Sequence, residues 1–179
     1  MTFRDSVPKL RPVIDKEIEM SSGIVAFAFG FPDTVVANLA IARLAYEEAS
    51  RLSAPIYTQH EVHVHGAEYV DAPGPQGPIP TLRLCRAAVQ WAHLRGLDEI
   101  VIGAAKPHLW RCIRDLEYAV QEVNFPIAVR ASGYINKVAP EDWFRGDSQQ
   151  WYTNNRLAWY LRDTILRIMP MFIYARIAS

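Results

Sequence analysis

Sulfur is scarce in this chain: Cys85 and Cys112 are its two cysteines in 179 residues. Neither belongs to a CxxC pair or lies near histidines at ligand spacing, so both read as buried, reduced thiols rather than as a disulfide or cysteine–metal framework. Net charge is lacking as well. Nineteen Lys and Arg balance nineteen Asp and Glu, which argues against a nucleic-acid binder working by phosphate neutralisation and against an acidic solvating tail. Long hydrophobic runs are missing too. The apolar stretch 23–31 falls far short of the roughly 20 residues a spanning helix needs. It is preceded by Asp15, Glu17 and Glu19 and followed by Pro32 and Asp33, unlike a signal peptide. The apolar tail 165–178 is interrupted by Arg167, Pro170 and Arg176. No transmembrane segment is expected, and a cytoplasmic location is the default. The sequence also contains no GxGxxG, no GxxxxGK[ST] and no GxSxG, so dinucleotide-binding, P-loop and α/β-hydrolase readings lack their working parts.

What is present fits one globular domain. Hydrophobic residues make up 50% and charged residues 21% of the chain, ordinary values for a length that suits a single domain. Four short apolar runs, at 24–29, 55–59, 99–104 and 126–131, are continuous rather than alternating. Continuous runs suggest strands buried on both faces, as in a parallel sheet covered by helices.

Helix-period segments separate these runs. Val35, Leu39, Ala42, Tyr46 and Ala49 form one stripe, with Arg43, Glu47, Glu48 and Arg51 opposite and a Glu47–Arg51 pair at i,i+4. A second helix starts at Thr81 as N-cap, turns Cys85, Ala88, Val89 and Ala92 inward, and stops at Gly96. A third opens near Pro107 with Leu109, Ile113, Leu116, Val120 and Val123 in line. A fourth, over about 149–169, places Ala158, Leu161, Ile165 and Ile168 on one face and ends at Pro170. The order β-α-β-loop-α-β-α-β-loop-α predicts a three-layer, Rossmann-like α/β fold whose mainly parallel sheet has about four to five strands. Residues 1–22 read as an N-terminal extension, 66–80 and 132–147 as probable site loops, and 169–179 as an apolar C-terminal tail.

In an open parallel sheet, ligands bind outside the carboxyl ends of the strands. That rule selects Gly30, Phe31 and Asp33 after the first strand, His60 and Glu61 after the second, and Lys106 and His108 after the third. His108 and Arg111 stand at i,i+3 on the first turn of a helix, and Asp115 continues their line. A helix N-terminus carries free N–H groups and partial positive charge, and an arginine adds a fork for phosphate or carboxylate. A small polar or anionic ligand is the expected partner. The same dipole favours a neutral imidazole, so His108 is a candidate acid or base together with Glu61. If the second strand ran on through 60–65, Glu61, His63 and His65 would project to one side, and His63 with His65 could present two imidazoles to a divalent metal.

The run "IPTLRLCRAAVQWAHLRGLDEIVIGAAKPHLWRCIRDLEYAV", with the strand 24–29, the helix "ANLAIARLAYEEASRL", the strand "APIYT" and the closing helix "NNRLAWYLRDTILRI", resembles the SanA/YdcF-like domain family over roughly residues 23–168. The resemblance implies a Rossmann-like sheet with its site at the strand ends, Thr81, His108 and Arg111 at matching motif positions, and S-adenosylmethionine as a candidate ligand. The sequence departs from the family after the second strand, where "TQHEVHVH" and a Pro-Gly loop replace a Gly-Gly pair and a further helix and strand.

Three functional expectations follow. The first is a small-molecule-binding α/β protein, or an enzyme, recognising a polar or anionic, nucleotide-like ligand at the carboxyl edge of the sheet through Gly30, Phe31, Asp33, His60, Thr81, Lys106 and Arg111. The second is a metal-dependent hydrolase or isomerase built on Glu61, His63 and His65. The third is a non-catalytic module whose Trp143, Phe144, Trp151 and apolar tail form an interface, with homo-oligomerisation through the C-terminal helix and tail as one form of it.

Overall fold

The computed structural model describes residues 20–71 and 79–178. Most of the N-terminal extension and part of the 66–80 loop lie outside the described residues. The chain forms a five-stranded, all-parallel sheet with helices on both faces, a Rossmann-like three-layer α/β fold. Its strands are β1 (Ser22–Ala26), β2 (Ile56–Thr58), β3 (Glu68–Tyr69), β4 (Glu99–Gly103) and β5 (Ala128–Ala131). Their spatial order is β3-β2-β1-β4-β5. The chain therefore winds outward in opposite directions from the β1–β4 pair, where Ile24 stands beside Val101 and Ala26 beside Gly103. Crossovers that diverge there leave a crevice at the carboxyl ends of these two strands.

Both faces of the central strands are covered, which explains their unbroken apolar runs. From β1 onward, Val25 and Phe27 pack with Ile100, Ile102 and Ala104 beneath α2 (Thr81–Leu94) and α3 (Leu109–Val123). Ile24, Ala26 and Phe29 face the other way, with Val101 and Ala105, beneath α1 (Val36–Leu52) and the two short 3-10 helices Gly133–Lys137 and Pro140–Phe144. Burying a large aliphatic side chain contributes about 1.5–3 kcal/mol, so these two clusters hold the layers together.

Several local expectations are corrected. The helix α1 buries Ala37, Asn38, Ile41, Leu44, Ala45 and Glu48, whereas Leu39 and Tyr46 are exposed. Val35 and Ala49 of the expected stripe are buried, but the rest of the inward face is rotated from Leu39 and Tyr46 to Ile41, Leu44 and Glu48, whose carboxylate accepts from Ser132 and Arg51 at 2.5 Å each. The pair Glu47–Arg51 gives way to Arg43–Glu47 and Arg51–Glu48. The α3 stripe packs inward through Leu109, Ile113, Leu116 and Val120 but leaves Val123 exposed, and the most buried positions extend to Arg111, Cys112, Asp115 and Ala119. The N-cap of α2 is Pro80, so Thr81 is its first helical residue.

The final helical segment changes most. The helix α4 (Arg156–Ile168) starts at Asn155, whose Oδ1 accepts from the backbone N–H groups of Leu157 and Ala158. It buries Trp159 and Asp163 and leaves Leu161, Ile165 and Ile168 exposed, the reverse of the expected face. After Pro170, α5 (Met171–Ile177) anchors through buried Tyr174, whose hydroxyl donates to Asp115 Oδ2 at 2.5 Å.

Candidate functional site

A cleft of about 260 Å³ opens at the carboxyl edge of the sheet. Ala28, Phe29 and Gly30 after β1 form its floor with Gln59 after β2. Thr81 opens α2 at one wall, while His108 and Arg111 at the start of α3 form another. Gln150, Tyr152 and Thr153, with Trp159 and Arg162 of α4 and Tyr174 of α5, complete it.

The floor is held by a residue that no motif singled out. Asn38, buried on the third position of α1, accepts from the Phe29 N–H at 2.7 Å and donates from Nδ2 to the carbonyls of Gly30 and Pro32 at 3.2 and 3.1 Å. Gly30 itself has φ +106°, and a Cβ there would lie 2.8 Å from Ser148 Oγ. Glycine is required on both counts. Ser148 Oγ in turn accepts from the Phe31 N–H at 3.0 Å and from Thr153 Oγ1 at 2.8 Å, tying the β1–α1 loop to the segment that enters α4.

His108 and Arg111 meet as their spacing predicts. Arg111 Nη2 lies 2.9 Å from His108 Nε2, and Thr81 Oγ1 lies 3.3 Å from the same nitrogen. Guanidinium N–H groups only donate, so Nε2 is the acceptor and the neutral ring carries its proton on Nδ1. Burial holds the imidazole well below its ordinary pKa, and the charges of Arg111 and Arg162 push it further down; the Ala28 carbonyl opposes this weakly. Nδ1 is buried without a hydrogen bond of good geometry.

Arg111 is itself only 5% exposed. Its counter-charge is Asp163 of α4, with Nη1 and Oδ1 3.6 Å apart, and its guanidinium lies 5.1 Å from the Trp159 ring centroid. Asp163 is shared, since its Oδ2 accepts from Arg167 at 2.7 Å. Arg111 Nε has no hydrogen-bond partner. The second cation, Arg162, lies over Tyr152 at 4.4 Å, and partial removal from water together with the Arg111 charge lowers its pKa. Among the described residues no carboxylate lies within 4 Å of Arg162, and the cleft lining contains no Asp or Glu. Two guanidiniums therefore face one small volume with less than full compensation.

Trp159 is the hub of the aromatic wall. Its ring packs edge-on against Phe29 and His108, at centroid distances of 4.5 and 5.5 Å, and its Nε1–H donates to the Pro107 carbonyl at 3.3 Å. Asp115, next on the α3 line, does not reach Arg111. Burial raises its pKa, against hydrogen bonds from Tyr174 and Arg114 that lower it.

Of the sequence-selected residues, Gly30, Thr81, His108 and Arg111 are brought together in the cleft. The others are not. Lys106 is exposed and donates to Asn136 Oδ1 at 3.0 Å. Phe31 contributes its backbone through Ser148. His60 stacks on Tyr69, and Glu61 accepts from Gln59 Nε2 at 2.9 Å, one residue removed from the cleft. Asp33 pairs with His63, Oδ2 to Nε2 at 3.0 Å.

The strand extension on which the metal site depended is absent, because β2 ends at Thr58 and 59–67 is irregular backbone leading to β3. Among the described residues no three His, Cys, Asp or Glu side chains come together as metal ligands. Residues 132–147 do not line the cleft, and Trp143 is 2% exposed within the core rather than on a surface. The sequence missed Asn38, Trp159, Arg162 and Asp163. Asn155, a strong N-cap six residues inside the expected helix, together with the Asp163–Arg167 spacing, was the signal that could have set the true register.

No family model, curated protein or solved structure matches the chain.

Proposed function

We propose that the chain binds a small anionic ligand, nucleotide-like in joining a phosphate or carboxylate to a planar or sugar moiety, in the cleft at the carboxyl edge of the sheet. The observation that carries this is the pair of guanidiniums, Arg111 and Arg162, directed at a cleft that no Asp or Glu lines among the described residues, with Arg111 Nε buried and unpartnered. Charge-assisted hydrogen bonds from planar guanidiniums suit carboxylate and phosphate oxygens. Thr81, Gln59, Gln150 and Thr153 supply neutral donors, and Trp159 and Tyr152 a flat apolar wall. The volume lies just below the roughly 300–1,000 Å³ of typical ligand sites, which favours a ligand of sugar-phosphate size over a dinucleotide.

In this arrangement His108 acts through Arg111. Its Nε2 lone pair holds the guanidinium, so proton transfer at that nitrogen requires Arg111 to move away. Binding is the activity that the geometry supports best.

Calorimetric titration with inorganic phosphate, sugar phosphates, mononucleotides and small carboxylates tests the proposal. At least one should bind with micromolar to low-millimolar affinity. Arg162→Ala should weaken it tenfold or more with an unchanged melting temperature, as befits an exposed residue. Failure of the whole panel to bind, or equal affinity in Arg162→Ala, would overturn the assignment.

A further inference from the structure

The C-terminal helices carry a surface that the cleft does not explain. Leu157, Leu161, Ile165 and Ile168 are spaced by four, four and three residues, so at 100° per residue they form a single stripe along α4. With Phe172 and Ile177 of α5 they are 52–79% exposed. The α4 stripe alone presents on the order of 500 Å² of apolar surface, within the size at which patches on folded monomers commonly have a function.

The charges beside the stripe indicate what meets it. On the same helical projection Arg162 flanks one side, and Arg156 and Arg167 flank the other. Arg176 adds a fourth cation on α5. The only acid of the two helices, Asp163, is buried against Arg111 and Arg167. The exposed part of α4 and α5 is thus apolar in the middle and cationic at both margins, and neither helix carries an exposed Asp or Glu. A second copy of the chain would bring arginines against arginines across a two-fold axis. Trp110 and Tyr160, both partly exposed, lie beneath Arg167 and beside Arg156, with guanidinium-to-centroid distances of 4.7 and 5.7 Å.

We propose that the α4 face docks on an anionic lipid surface. The aliphatic stripe enters the interface while the flanking arginines meet lipid phosphates, the arrangement of an amphipathic helix lying in the membrane plane. No helix among the described residues is long and apolar enough to cross a membrane, so the contact is peripheral. It orients the molecule with Arg162, a lining residue of the cleft, near the lipid headgroups.

Co-sedimentation of the full chain with vesicles provides the test, independently of any soluble ligand. The chain should pellet with phosphatidylglycerol-containing vesicles, remain in solution with pure phosphatidylcholine, and lose at least tenfold in partitioning at half-molar salt. Leu161→Ser with Ile165→Ser, both at exposed positions, should reduce partitioning at least tenfold while the melting temperature holds. The proposal fails if anionic vesicles do not bind the chain. It fails equally if the double variant binds them as well as the parent, which would signify diffuse charge attraction. A dimer in analytical ultracentrifugation that the same double variant dissociates would assign the face to a second copy instead.

Discussion

Arg111 Nη2 sits 2.9 Å from His108 Nε2, one turn earlier in sequence, and Arg111 Nη1 sits 3.6 Å from Asp163, fifty-two residues later. The first contact is local and follows from i,i+3 spacing; the second exists only because α4 packs its acidic position inward. Together they fix a buried cation at the edge of a cleft, and they determine how the site should respond to change.

Replacing Asp163 with Asn removes the carboxylate that faces both Arg111 and Arg167. Breaking a buried ion pair from one side leaves an uncompensated charge and typically costs about 3–5 kcal/mol. Because the 3.6 Å separation is long, the lower end of that range is expected in urea denaturation. A loss under 1 kcal/mol would show that Arg111 needs no counter-charge there.

His108 gives a pH signature. Its folded pKa lies below the ordinary 6.5, so the unfolded chain takes up the proton first. Stability is then complete above about pH 6.5 and falls as acid is added down to the folded value. In His108→Gln the slope of melting temperature between pH 6.5 and 5 should flatten. Carboxylates held below their ordinary values, such as Glu48, contribute losses only at lower pH, near and below 4.5, so the two effects separate.

Asn38 closes the floor of the cleft with three hydrogen bonds. Asn38→Ala leaves the Phe29 N–H and the Gly30 carbonyl unpaired in a buried setting, while the Pro32 carbonyl keeps the Val35 N–H at 3.3 Å; the loss should be about 2–3 kcal/mol. Amide exchange at Phe29 should accelerate by more than the global change in stability. Uniform acceleration would mean that the loop is held by something else.

Gly30→Ala tests the turn after β1. The alanine would have to adopt φ +106° and displace Ser148 Oγ, a strain of about 1–3 kcal/mol. Reduced stability together with weakened anion binding is expected, whereas Gly146→Ala, also at positive φ but with nothing near its Cβ, should leave binding unchanged.

The strands β1, β2 and β4 were legible because each is buried on both faces, and such strands must be apolar throughout; β5 lies at the sheet edge and is only half-buried, and β3, two residues long, carries no such signature. The line His108, Arg111, Asp115 was legible for a similar reason, since helical spacing places residues three and four apart on one side wherever the helix lies. The Glu61–His63–His65 cluster was not decidable in the same way. Period-two alignment holds only within a strand, and whether β2 continued past Thr58 depended on where β3 docked.

By itself, then, the sequence determined a parallel α/β sheet, a crevice at its carboxyl edge, and His108 with Arg111 at one helix start. Tertiary structure alone decided the orientation of α4. Its aliphatic stripe is the face that hydrophobicity would send inward, yet a buried arginine at the cleft needs a carboxylate, and Asp163 lies on the opposite side of that helix. A periodic pattern specifies which residues share a face; which face is buried depends on the charges and rings waiting across the gap.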